Sequence, residues 1–92
     1  MKIKIKYTAQ LKKEAGVPEV WKETTEEVGL EDLLKEVAAG HNEAFANILF
    51  DEHGSRRQSI VIVHNNEQVL AGRLTGLKEN DEILIMSPIA GG

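Results

Sequence analysis

The chain contains no cysteine. That excludes disulfides, a thiolate zinc site, an iron–sulfur cluster and a cysteine nucleophile. A side-chain persulfide is excluded with them. Aromatic residues are few (Tyr7, Trp21, Phe45 and Phe50), so the core must be mainly aliphatic. No apolar stretch approaches the ~20 residues that span a bilayer. Lys2, Lys4 and Lys6 interrupt the N-terminal apolar residues, which speaks against a signal peptide and leaves the cytoplasm as the expected location, with no membrane partner. Excess positive charge is missing as well. A formal net charge of -4 argues against general nucleic-acid binding, where a basic face is expected.

What remains is a chain of 92 residues, enough for one domain with a modest core but not for a deep enclosed active site. A hydrophobic content of 41% with 28% charged residues is that of an ordinary soluble globular protein. Lys2 to Tyr7 alternates strictly and predicts a half-buried strand, with Ile3, Ile5 and Tyr7 inward and the lysines on the other face. Glu14 to Pro18 reads as a turn, and Val20 to Thr24 as a short second strand completing a hairpin. Leu30, Leu33, Leu34 and Val37 share one helical face, with Glu31 and Lys35 as an i,i+4 pair outside. Two starts fit this helix. Thr24 with Glu27 makes a capping box, and Gly29 with Asp32 fits a later beginning. Gly40 is a plausible stop.

Asn42 to Phe50 reads as a second short helix, and Asp51 to Ser59 as a polar loop. Ile60 to Val63 is the strongest strand signal, apolar enough to lie centrally in a sheet. Asn65-Asn66 predicts a tight turn, because Asn tolerates positive φ. Val69-Leu70 is a short returning strand, and Glu82 to Met86 follows a second turn at Leu77 to Asp81. The order strand, strand, helix, strand, short strand, strand predicts a single α+β domain. Its mixed sheet has four or five strands, with one main helix packed across a face.

Side-chain chemistry has little to work with. His41, His53 and His64 have no partners at metal-ligand or triad spacing, and solvated histidine is the simplest state for His41 and His53. The carboxylate pairs Glu26-Glu27 and Asp51-Glu52 lie on polar segments, where nothing apolar raises a pKa for acid–base work. Gly72 to Lys78 is neither a Walker loop nor a dinucleotide fingerprint. No catalytic residue and no metal or cofactor site is expected within the domain.

The chain ends Ser87-Pro88-Ile89-Ala90-Gly91-Gly92. A terminal Gly-Gly lacks both Cβ atoms and threads a channel too narrow for other pairs. It also presents an unhindered α-carboxylate. The expected organisation is a domain over residues 1–87 and a flexible tail over residues 88–92.

These residues resemble the β-grasp sulfur carriers of the MoaD/ThiS type, relatives of ubiquitin, over essentially the whole chain. The strongest likeness lies in Leu77-Lys78-Glu79-Asn80-Asp81-Glu82-Ile83 and in the ending Pro88-Ile89-Ala90-Gly91-Gly92, similar to the family's Pro-Val-Ala-Gly-Gly. Tyr7 to Lys13 and Leu30 to Leu34 add weaker likenesses. Residues 42–59 resemble the longer archaeal-type members. Three departures stand out. Asn80 replaces a glycine, which a left-handed turn tolerates. His64 takes a usually apolar place, and Ser87 replaces the first proline of a Pro-Pro pair, which implies a less stiff tail.

The resemblance implies a carrier rather than an enzyme. An E1-like adenylating enzyme of the MoeB/ThiF type would use ATP and magnesium to activate Gly92. A persulfide sulfurtransferase would then convert the adenylate to a thiocarboxylate. Gly91, Ala90, Ile89 and Pro88 would thread into partner pockets. The implied acceptor is an enzyme such as the molybdopterin synthase large subunit. Sulfur carriage for cysteine or thiamine synthesis, and a ubiquitin-like modifier conjugated through Gly92, are the alternatives.

Overall fold

Alternating apolar and charged side chains make one face of a strand bury itself, and that pattern organises the whole sheet. In the computed structural model, which describes residues 1–70, 72 and 74–87, the elements follow one another as β1 (Lys2–Tyr7), α1 (Ala9–Ala15), β2 (Glu19–Glu23), α2 (Leu30–Ala39), α3 (Glu43–Leu49), β3 (Val61–His64), β4 (Glu67–Val69) and β5 (Glu82–Met86). The sheet has five strands in the order β2-β1-β5-β3-β4. β1 and β5 run parallel, with Ile5 opposite Ile83, and the remaining pairs are antiparallel.

Ile3, Ile5, Tyr7, Ile62, Ile83 and Ile85 present one buried face, and Leu30, Leu33, Leu34 and Val37 of α2 belong to the same core. Phe45 and Leu49 of α3 and Leu11 of α1 complete it. This is the mixed sheet with a helix across one face that the element order implies. α2 starts at the later of the two candidate positions, with Gly29 as N-cap. No side chain caps it. Instead the Leu30 N–H, one of the donors that a helix start leaves unpaired, is satisfied at 3.0 Å by the carbonyl of Gly72. A tertiary contact thus replaces the local capping box.

The strands predicted at 20–24, 60–63 and 69–70 form at positions shifted by one or two residues. One element was not expected. The link between β1 and β2 contains α1, so the two strands pair through a helical connection rather than a simple turn. Ala-Gln-Leu-Lys-Lys-Glu-Ala is rich in good helix formers, and Gly16 ends it in a left-handed conformation with φ 78°. Leu11 supplies its one buried side chain.

The Asn-Asn turn forms as expected, with φ of 47° at Asn65 and 76° at Asn66, the geometry of a tight hairpin. Asn80 has φ 72°, so it adopts the left-handed turn in place of a glycine.

Candidate functional site

Pro88, Ile89, Ala90, Gly91 and Gly92, the positions singled out in the sequence, lie outside the described residues. The structure does describe the root from which they continue, and that root is ordered by chemistry the sequence reading did not foresee. β5 runs beside β1 in parallel and ends at Met86, so Ser87 arrives next to the end of β1, where Thr8 and Ala9 open α1. The Ser87 N–H donates to Thr8 Oγ1 at 3.2 Å. The Ser87 hydroxyl donates to the Thr8 carbonyl at 2.8 Å and accepts the Leu11 N–H at 3.3 Å.

Beside Thr8, Ala9 has φ 48°. For a residue with a Cβ, that left-handed conformation costs about 1–2 kcal/mol. Beneath lies an aromatic cluster. Tyr7 packs edge-on against Phe45 at 5.1 Å between centroids and against His41 at 5.3 Å. His41 lies 4.5 Å from Phe45, and the Tyr7 hydroxyl is 2.7 Å from His41 Nε2.

Burial pushes the Tyr7 hydroxyl up to about 12 and lowers the His41 imidazole below its ordinary 6.5. Both groups are thus held neutral, and the tyrosine hydroxyl and Nε2 share a hydrogen bond between uncharged partners. The expected solvated state of His41 is corrected by this contact. Its cause is the return of the chain after α2, which lays His41 over Phe45.

The other histidines divide. His53 is exposed, 3.5 Å from Glu52, as a solvated loop residue should be. His64 lies 3.0 Å from Asp81, at the far end of the sheet. Asp81 also accepts the Lys78 N–H at 2.9 Å, while the Asn65 side chain accepts the Glu82 N–H at 3.0 Å. Together they tie the β3–β4 turn to the turn before β5. The hydrogen bond from His64, aided by Asn65 and Lys78, holds the Asp81 carboxyl below the usual carboxylate range. A His–Asp pair with no nucleophile at hand is a structural lock rather than a triad.

The open face of the sheet carries the lysines, as expected. Lys4 lies 3.5 Å from Glu19 and 5.4 Å from the ring centroid of the exposed Trp21. Lys6 reaches Glu82 at 3.9 Å. Towards the end of β5 that face becomes apolar, where Val63 pairs with Leu84 and Val61 with Met86. Among the described residues no group of three or more histidines or carboxylates could hold a metal ion. No helix among them is long and apolar enough to cross a membrane.

Which signals could have exposed the root? Thr8 is a capping residue ahead of a helix-forming run that ends at Gly16, and that spacing marks α1. Nothing local marks Ser87. Its partners lie on a segment more than seventy positions away, brought close only by the parallel pairing of β1 with β5.

Over residues 5–92 the chain matches the ThiS family. The molybdopterin synthase sulfur carrier subunit of Chlamydomonas reinhardtii is 32% identical over 92 residues, covering 100% of both chains. The crystal structure of SAMP1 from Haloferax volcanii has a TM-score of 0.83 at 23% identity, covering 100% of each chain, a likeness of fold. The solution structure of small archaeal modifier protein 1 from Methanosarcina acetivorans has a TM-score of 0.73 at 32% identity, covering 99% of this chain and 96% of that one.

Proposed function

The chain belongs to the ThiS family, and from that premise we propose that it carries sulfur on the carboxylate of Gly92 for molybdopterin synthesis. The observation that carries this reading is the 32% identity, over the full length of both chains, with a molybdopterin synthase sulfur carrier subunit. Composition supports it, because without cysteine the terminal carboxylate is the available place for sulfur. The fold supports it too. It is the ubiquitin-like β-grasp, whose last strand leads directly to Ser87 and the terminal residues. Such a protein is a small carrier acted on by other enzymes, not a catalyst itself.

A carboxylate is a poor electrophile, so activation comes first. The Gly92 carboxylate attacks the α-phosphate of ATP, held with magnesium by an E1-like adenylating enzyme, and pyrophosphate leaves. The terminal sulfur of a persulfide then attacks the acyl carbon and AMP leaves. A second thiol cleaves the resulting acyl disulfide, taking the donor's sulfur and leaving a thiocarboxylate. That sulfur is ionised near neutral pH and nucleophilic, so it attacks the acceptor in the pocket of a synthase large subunit. Gly91 and Gly92 give the narrow cross-section that both pockets require. Ala90, Ile89 and Pro88 set reach. The apolar strip of Val61, Val63, Leu84 and Met86 offers a partner a contact surface beside the root.

The 32% identity to an archaeal modifier protein favours one second reading, in which Gly92 is joined to lysines of other proteins. Intact mass after incubation with the E1-like enzyme, ATP, magnesium and a persulfide donor tests the first reading. The expected product gains the difference between one sulfur and one oxygen, and a chain lacking Gly91 and Gly92 folds normally but gains nothing. An unchanged mass contradicts the carrier. Covalent transfer onto lysines in cell extract selects the modifier.

A further inference from the structure

The end of β5 is held more firmly than a strand terminus requires, and by an unusual exchange. Thr8 occupies the N-cap of α1, where a threonine hydroxyl ordinarily accepts an N–H from the first turn of its own helix. Here it makes no such bond. Its Oγ1 accepts the Ser87 N–H instead, at 3.2 Å. Ser87 takes the place of the capping hydroxyl: its Oγ accepts at 3.3 Å from the Leu11 N–H, which it shares with the Thr8 carbonyl at 3.1 Å, and donates to that carbonyl at 2.8 Å. Two hydroxyls have traded partners across the chain. Between them Ala9 is held at φ 48°. Strain of that kind persists only where the surroundings over-determine it, and it gathers where positioning matters.

We infer that Ser87 is a positioning residue for the reactive end of the chain, its exchanged cap with Thr8 fixing the orientation from which residues 88–92 depart. The N–H and Oγ bonds hold Ser87 on its φ side and at χ1. Because Pro88 follows, Ser87 is also confined to extended ψ. The stiffness that a proline at this position would supply covalently is supplied by hydrogen bonds, so the loss of a Pro-Pro pair does not loosen the root. An activating enzyme then meets a fixed point of departure at Ser87, which raises the fraction of encounters that are competent.

This inference rests on the reading of Gly92 as the activated group, and pyrophosphate release by the cognate E1-like enzyme with ATP and magnesium tests both. With carrier concentration varied, Ser87→Ala is expected to raise KM for the carrier about five- to tenfold while kcat stays within about twofold. Ser87→Thr, which restores the hydroxyl, returns KM to near the wild-type value. Thr8→Val, which removes only the acceptor for the Ser87 N–H, gives a smaller rise and provides the test should Ser87→Ala fail to fold. Thermal unfolding above the assay temperature establishes that each variant is folded. A merely structural role would lower the unfolding temperature and leave KM unmoved, and that result overturns the inference alone, as does failure of Ser87→Thr to restore KM. Absence of pyrophosphate release with the wild type overturns the carrier reading and this inference with it.

Discussion

The two ends of the sheet use left-handed backbone differently. At the far end it falls on Asn65, Asn66 and Asn80, residues whose short polar side chains tolerate it, and the turns there are tied by the His64–Asp81 pair. At the end where the chain leaves β5 it falls on Gly16, which tolerates it, but also on Ala9, which does not. The first arrangement is a relaxed clamp around an ionised carboxylate. The second is strained, neutral, and built over aromatic rings. A fold that needed only stability could place Gly or Asn at position 9 as it does at the other left-handed positions, so the contrast points to a positional demand at the root of the terminal segment.

The comparison can be broken most forcefully from beneath. Phe45 is fully buried under Tyr7 and His41, and Phe45→Ala is expected to cost about 3–5 kcal/mol in denaturant unfolding. Asp81→Ala strikes the other end. It leaves the Lys78 N–H and the His64 ring without their acceptor, for a loss of about 1–2 kcal/mol at neutral pH, the site keeping some solvent. Because the folded Asp81 carboxyl titrates below its ordinary 3.8, its contribution is full above that value and fades as pH falls through the folded one. Wild type and Asp81→Ala should therefore converge in strong acid.

A matched pair sharpens the contrast in backbone strain. Ala9→Gly should raise stability by about 0.5–1 kcal/mol, relief of strain outweighing the flexibility of glycine. Asn80→Ala should lower it by about 1 kcal/mol. Equal signs in thermal unfolding would remove the distinction between the two ends. The smallest effect belongs to His41. Its folded pKa lies below 6.5, so its stabilisation is complete above 6.5 and is lost as pH falls through the folded value. In His41→Gln, unfolding free energy measured between pH 7 and 5 should lose that part of its slope.

The strands and the main helix were legible because their signal is periodic and local. Lys2 to Tyr7, read from alternation, and Glu82 to Met86, read as a strand-like run after a turn, appear at the expected boundaries. The start of α2 was only half legible, since the acceptor for Leu30 comes from Gly72 rather than from a neighbouring side chain. α1 was missed because the turn signal at Gly16 to Pro18 masked the helix formers before it. The contacts of Ser87, His41 and His64 were out of reach, as each depends on segments that only the sheet and helix packing bring together. Gly92 stood out for the opposite reason. Its meaning depends on covalent chemistry at a terminus, which needs no tertiary structure to be read.

The central claim is that Gly92 bears the sulfur, and fragmentation of the intact protein in the mass spectrometer after loading by the E1-like enzyme and persulfide donor tests it most directly. The account predicts that every fragment containing Gly92 carries the oxygen-to-sulfur increment, while fragments ending before it carry none. Sulfur found on any internal residue, or a Gly92 carboxylate that stays unmodified while the activating enzyme turns over, would contradict it.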